Sequence, residues 1–192
     1  MGTTRLVSRR RQDAGAKWAR IAMAVLATVG VIDTGSITLK RWGLLGNLSC
    51  PMGADGCDKV LNSPWGTVAA GIPLSFVGLL AYIAVLVMAL LPLLPGLQEN
   101  KSDLSRRTWW GMFSVSLGMA VFSGVLLGLM VIKIQAFCFF CVLSAVLSLS
   151  LFLLSVIGGG WDDPGQLIFR GILLALAAVS YTHLTLPTTG VV

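Results

Sequence analysis

Four cysteines fall into two close pairs, Cys50 with Cys57 and Cys138 with Cys141. A thiolate attacks disulfides and quinones and also binds soft metals. Two dithiols in one chain therefore open three chemistries: electron relay by thiol–disulfide exchange, metal carriage, and a structural clip. In a helix, the three-residue spacing of Cys138 and Cys141 places them on one face about 5 to 6 Å apart, within the range a disulfide accepts. The unpaired N–H groups and the positive dipole end of that helix favour a thiolate, and Cys138, nearer the end, gains most. The same C-x-x-C spacing serves zinc sites, and buried cysteines also act as small apolar residues. Cys50 and Cys57, with six residues between them, would equally staple a loop. Phe137, Phe139 and Phe140 around the second pair disfavour zinc held by all four thiols. Those rings and Trp65 would line a pocket for a flat, lipid-borne ring, although aromatics are also ordinary near a membrane interface.

The elements that must hold these thiols are membrane helices. Of 192 residues, 56% are hydrophobic and 11% charged, and the mean hydropathy is +0.86. That composition excludes a soluble globular domain. Runs of about 20 apolar residues satisfy their backbone in lipid only as helices, and the short alternating segments of a membrane β-barrel are absent. The net charge of +6 does not indicate nucleic acid, because the basic residues sit at helix ends rather than in a patch with interleaved aromatics.

Spans are expected from about Trp18 to Leu39, Val68 to Leu94, Trp109 to Ile132, and from the Lys133/Gln135 break to about Ile157. Gly71 and Pro73 are expected to bend the second span. Trp109 and Trp110 suit an interfacial belt, and Ser114, Ser116, Gly118, Ser123, Gly124 and Gly128 suit close helix packing. A fifth apolar segment begins near Leu167 and loses its character at Ser180, too short to cross unaided, with Arg170 inside it. The organisation is thus a basic N-terminus (1–17), a four-helix domain (18–157) with an outward loop (40–66), a connection and fifth helix (158–180), and an atypical tail (181–192). The tail reads as the point where a fuller protein would continue.

Arg5, Arg9, Arg10, Arg11, Lys17 and Arg20, with Lys101, Arg106 and Arg107, give nine basic residues on one side against Lys40, Arg41, Lys59 and Lys133 on the other. The bias puts the N-terminus in the cytoplasm and both cysteine pairs on the outer face, in a compartment where disulfides persist. Asp33, late in the first span, is expected near the outer interface, solvated by Thr34, Ser36 and water, or delivering protons to a bound ring.

The outward loop with Cys50 and Cys57, the run from Cys57 through Ser63, Pro64 and Trp65 to Gly66, the Gly71-Ile-Pro73 turn and Cys138-Phe-Phe-Cys141 together resemble the vitamin K epoxide reductase family, in particular its prokaryotic disulfide-forming homologues. The likeness spans roughly Ile21 to Ile157. It implies a four-helix bundle around a quinone of the menaquinone, ubiquinone, phylloquinone or plastoquinone type, in a bacterial inner membrane or thylakoid-like membrane. It also implies a thioredoxin-like partner protein or domain on the outer face. By that resemblance Cys50 exchanges with the partner, Cys57 passes electrons to Cys138, Cys141 lies beside the quinone, and Ser63 lies near the pocket. Ala145 stands where the vertebrate enzymes carry a tyrosine against the naphthoquinone; the likeness carries quinone reduction, which needs no such group, and not epoxide reduction. A thiolate metal carrier and a structural membrane protein with a stapled cap are the alternatives.

Overall fold

The computed structural model describes residues 2–44, 67–68, 72–94, 101–135, 138–159 and 164–185. Helix α1 spans Gly2–Arg41, running without a break through the basic N-terminal segment. Its end is built by Gly43 at φ 73°, with Gly43 N–H donating to the Lys40 carbonyl and Leu44 N–H to the Leu39 carbonyl, both at 3.0 Å. This is the left-handed glycine stop that satisfies the last carbonyls. Within α1, Thr28, Thr34, Ser36 and Thr38 each donate back to the carbonyl four residues earlier, so their hydroxyls need no water.

A short antiparallel pair, β1 (Thr67–Val68) with β2 (Ile72–Pro73), leads into α2 (Leu74–Leu90), which ends in a 3-10 turn at Leu91–Leu93. Pro73 therefore does not bend a helix already under way. It lies extended at φ −64°, ψ 135° immediately before α2, where its missing N–H costs no helical bond. Helix α3 (Lys101–Leu129) starts two turns earlier than the apolar run, since charged residues suit a first turn, and Asp103 there complements the dipole. After a π-helical turn at Met130–Ile134 come α4 (Phe139–Gly158) and α5 (Pro164–Thr185). Proline opens α5 where its N–H would be unpaired anyway. The helix also continues past Ser180, because loss of apolar character does not by itself end a helix.

Among the described residues, four stretches are long and apolar enough to cross a membrane: Ala16–Arg41, Leu74–Leu93, Asp103–Lys133 and Phe139–Gly158. Apart from the short β1–β2 pair, the described residues form an α-helical membrane bundle of four such helices with a fifth, C-terminal helix. Helix α1 packs on α2 and α4, α3 packs on α2 and α4, and α5 lies against α3. The core between them consists of Met23, Ala24, Ala27, Tyr82, Val85, Ala89, Trp109, Met112, Leu147 and Leu151.

Three side-chain expectations change. Trp109 has its ring packed into the bundle rather than exposed; a Cβ at Gly158 would run into that ring, so the absent side chain makes its slot. Arg20 is only 4% exposed. It donates to the Ser105 carbonyl (3.0 Å), the Ser105 and Thr108 hydroxyls (3.1 Å each) and the Met88 carbonyl (3.4 Å), and it lies 4.6 Å from the Trp109 ring. It clamps α1, α2 and α3 instead of standing as a free orienting charge. The glycines at 118, 124 and 128 face open space; serines make the α3–α4 seam, through Ser116 to Ser155 (3.2 Å) and Ser148 to Ser123 (3.1 Å).

Candidate functional site

Past the π-helical turn the chain reverses at Gln135, the one non-glycine residue among those described with positive φ (48°). Cys138 follows in an extended conformation (φ −118°, ψ 112°) as the N-cap of α4, and its carbonyl accepts the Val142 N–H at 3.1 Å. The two cysteines are thus not both helical: Cys138 is the cap and Cys141 the third helical residue. This is the spacing at which a capping side chain meets the orphan N–H groups of the first turn. The Phe140 and Cys141 N–H groups act on the Cys138 sulfur without closing a full capping hydrogen bond.

Both thiols are free. Cys138 is completely buried, and with Met130 it centres a small apolar cluster flanked by Leu127, Phe140, Cys141 and Val142. A hydrogen bond from the Cys141 thiol pulls the Cys138 pKa down to about 7, helped by those two backbone N–H groups and opposed by burial and by the Asp33 charge. The cap position therefore favours the thiolate at Cys138, with the Cys141 thiol as its hydrogen-bond donor.

Asp33 is 6% exposed, and neither carboxyl oxygen has a hydrogen-bond partner among the described residues. The solvation expected from Thr34 and Ser36 is not made, because those hydroxyls donate to the Gly30 and Ile32 carbonyls at 2.7 Å each. The carboxyl acts electrostatically on Cys138, Cys141 and Tyr82, which places it at the thiol end of the bundle.

Tyr82 ties α2 to α4. Its hydroxyl donates to the Ser144 carbonyl at 2.9 Å and lies 3.1 Å from the Ser144 hydroxyl, one residue short of a full turn beyond Cys141. The ring occupies space that any side chain at Gly30 would fill. Sequence reasoning passed over both residues. The available signal was a phenol inside an apolar span, where a buried hydroxyl requires a partner. Phe139 is partly exposed, and its ring meets Phe140 edge-on at 6.0 Å between centroids. Cys50, Cys57, Ser63, Trp65 and Phe137 lie outside the described residues.

Residues 21–156 match the vitamin K epoxide reductase family. This chain belongs to the vitamin K epoxide reductase family. The matched segment runs from α1 nearly to the end of α4, so it takes in Asp33, Tyr82, Cys138 and Cys141 and leaves α5 outside. Among curated relatives, the chain is 31% identical over 152 residues to thiol-disulfide oxidoreductase LTO1 of Arabidopsis thaliana. That alignment covers 78% of this chain and 39% of the relative, so the family domain described here spans about two fifths of the relative's length.

Proposed function

We propose that this protein is a membrane thiol oxidoreductase that makes disulfides, oxidising a thioredoxin-like partner on the outer face and delivering the electrons to a membrane quinone. The observation that carries the reading is the Cys138–Cys141 pair, set as cap and third residue of α4 with its thiolate stabilised inside an apolar cluster. A structural clip has no use for a lowered thiol pKa, whereas thiol–disulfide exchange depends on one. The name of the Arabidopsis relative supports the same chemistry.

The residues present fit a quinone. A buried carboxyl without a hydrogen-bond partner among the described residues lies in electrostatic reach of both thiols, beside an apolar cluster suited to a flat ring. A bound quinone supplies an acceptor of two electrons and two protons. On the protein side, the partner's dithiol closes to a disulfide by exchange with a Cys50–Cys57 disulfide, which opens to two thiols and so takes up the two electrons and two protons. The Cys57 thiolate then attacks Cys138 of a Cys138–Cys141 disulfide, and Cys50 resolves the mixed disulfide, which restores Cys50–Cys57 and leaves Cys138 and Cys141 as thiols carrying the two electrons and two protons. Cys141 would adjoin the acceptor and Asp33 would hold a proton for it, while Ser63, Trp65 and Phe137 are the further candidates to hold the ring. The apolar cluster keeps water from Cys138. The charge bias orients the N-terminus to the cytoplasm and the thiols outward.

The test is quinone reduction by the purified full chain supplied with a reduced thioredoxin-like protein. Turnover is expected, and Cys141→Ala is expected to abolish it; unchanged turnover in that variant removes the reading.

A further inference from the structure

The end of the bundle away from the cysteines carries a feature the redox chemistry does not use. A hollow of about 440 Å³ is lined by Asp103, Arg106, Arg107, Trp110 and Arg170. Three guanidinium groups against one carboxylate leave a net positive lining. The Arg170 guanidinium lies 4.5 Å from the Trp110 ring centroid, which holds its planar fork in place across the α3–α5 junction. Arg106, Arg107 and Arg170 are exposed, so their donors are free to turn to an anion.

The hollow opens at the first turns of the Asp103–Lys133 span, the level at which lipid headgroups lie. From its edge Phe169, Ile172, Leu173 and Leu176 run along α5 at helical spacing, all more than half exposed. A phosphate group needs only the arginines. An apolar stripe running on from them suits acyl chains.

We propose that this hollow binds the phosphodiester headgroup of an anionic glycerophospholipid, with the α5 stripe carrying its acyl chains. Arginine forks grip phosphate oxygens in pairs, and Trp110 sits where interfacial tryptophans meet headgroups. A lipid here would stitch α5 to α3, the one helix against which α5 is principally packed.

The experiment titrates the full chain in mild detergent with phosphatidylglycerol, phosphatidylcholine or inorganic phosphate and reads bound mass by native mass spectrometry. Phosphatidylglycerol is expected to bind in preference to phosphatidylcholine. R106Q/R170Q is expected to weaken it roughly 30-fold, at about fivefold per arginine removed, while R106K/R170K, which keeps the charge but not the planar forks, recovers only part of the affinity and K133Q, at the thiol end, keeps all of it. If the double variant does not fold, R170Q alone, at an exposed position, is expected to show about a fivefold loss. Equal binding of the two lipids, or an unchanged affinity in R170Q, overturns the site. Displacement of phosphatidylglycerol by millimolar inorganic phosphate would show a free-phosphate site and overturn the lipid assignment.

Discussion

The Tyr82 hydroxyl donates to the Ser144 carbonyl at 2.9 Å, and the ring that carries it stands where a side chain at Gly30 would be. Through these contacts α1, α2 and the cysteine-bearing end of α4 share one register. Tyr82→Phe is expected to cost about 1 kcal/mol, the net worth of one hydrogen bond. Gly30→Ala is expected to cost about 1–3 kcal/mol by overpacking and to lower turnover, since the ring it displaces sets the position of Ser144. Unfolding in detergent mixtures measures both; an alanine variant as stable as the parent would show that the ring moves freely.

The lowered Cys138 pKa predicts a pH profile. Its thiolate is expected to form with a midpoint near pH 7, against about 8.5 for an ordinary thiol. Because the folded value lies below the unfolded one, this group contributes stability at pH values above the ordinary thiol range, and that contribution is lost as pH falls through 7. Cys141→Ala removes the largest cause and is expected to move the midpoint upward. Thiolate absorbance at 240 nm, read in chains lacking Cys50 and Cys57, decides it; a midpoint indifferent to Cys141 would refute the hydrogen-bond account.

Arg20 offers a test of the other end of the bundle. Replacing it with Gln breaks bonds to Ser105, Thr108 and Met88 and the stacking on Trp109. A loss of about 3 kcal/mol is expected, in the range of buried charge-assisted hydrogen-bond networks. Arg20→Lys is expected to recover only part of it, since an ammonium lacks the planar fork. Thermal unfolding of the three proteins measures the difference, and full recovery by lysine would mean that charge alone matters there.

What could be read from the chain alone divides along physical lines. Long apolar runs announce membrane helices because lipid leaves the backbone no other choice, so the four spans were legible, as was the C-x-x-C pair. Helix starts were not. The Lys101–Arg107 turn is polar yet helical, and Pro73 reads equally well as a kink or as a start, a choice made by the β1–β2 pairing before it. Burial was the least legible property. Arg20 has the same type as its orienting neighbours and differs only in what α2 and α3 bring to it, and Asp33 has hydroxyl neighbours that bond to their own helix instead.

That carboxyl carries the sharpest prediction. A buried Asp whose oxygens lack hydrogen-bond partners among the described residues destabilises the bundle, by about 2–3 kcal/mol on the scale for an Asp within a membrane helix. Such a group persists where function requires it. Asp33→Asn keeps the shape but cannot hold and release a proton, so the variant is expected to unfold at a higher temperature than the parent while quinone turnover falls about 100-fold or more, typical of a lost acid–base group. Removing the Asp33 charge is also expected to lower the Cys138 midpoint further, since that charge opposes the thiolate. Steady-state turnover and thermal unfolding on the same preparation separate the roles. A variant that gains stability and keeps full turnover would leave Asp33 without a part in the chemistry, and one that loses stability would show that the carboxyl has a partner holding it in place.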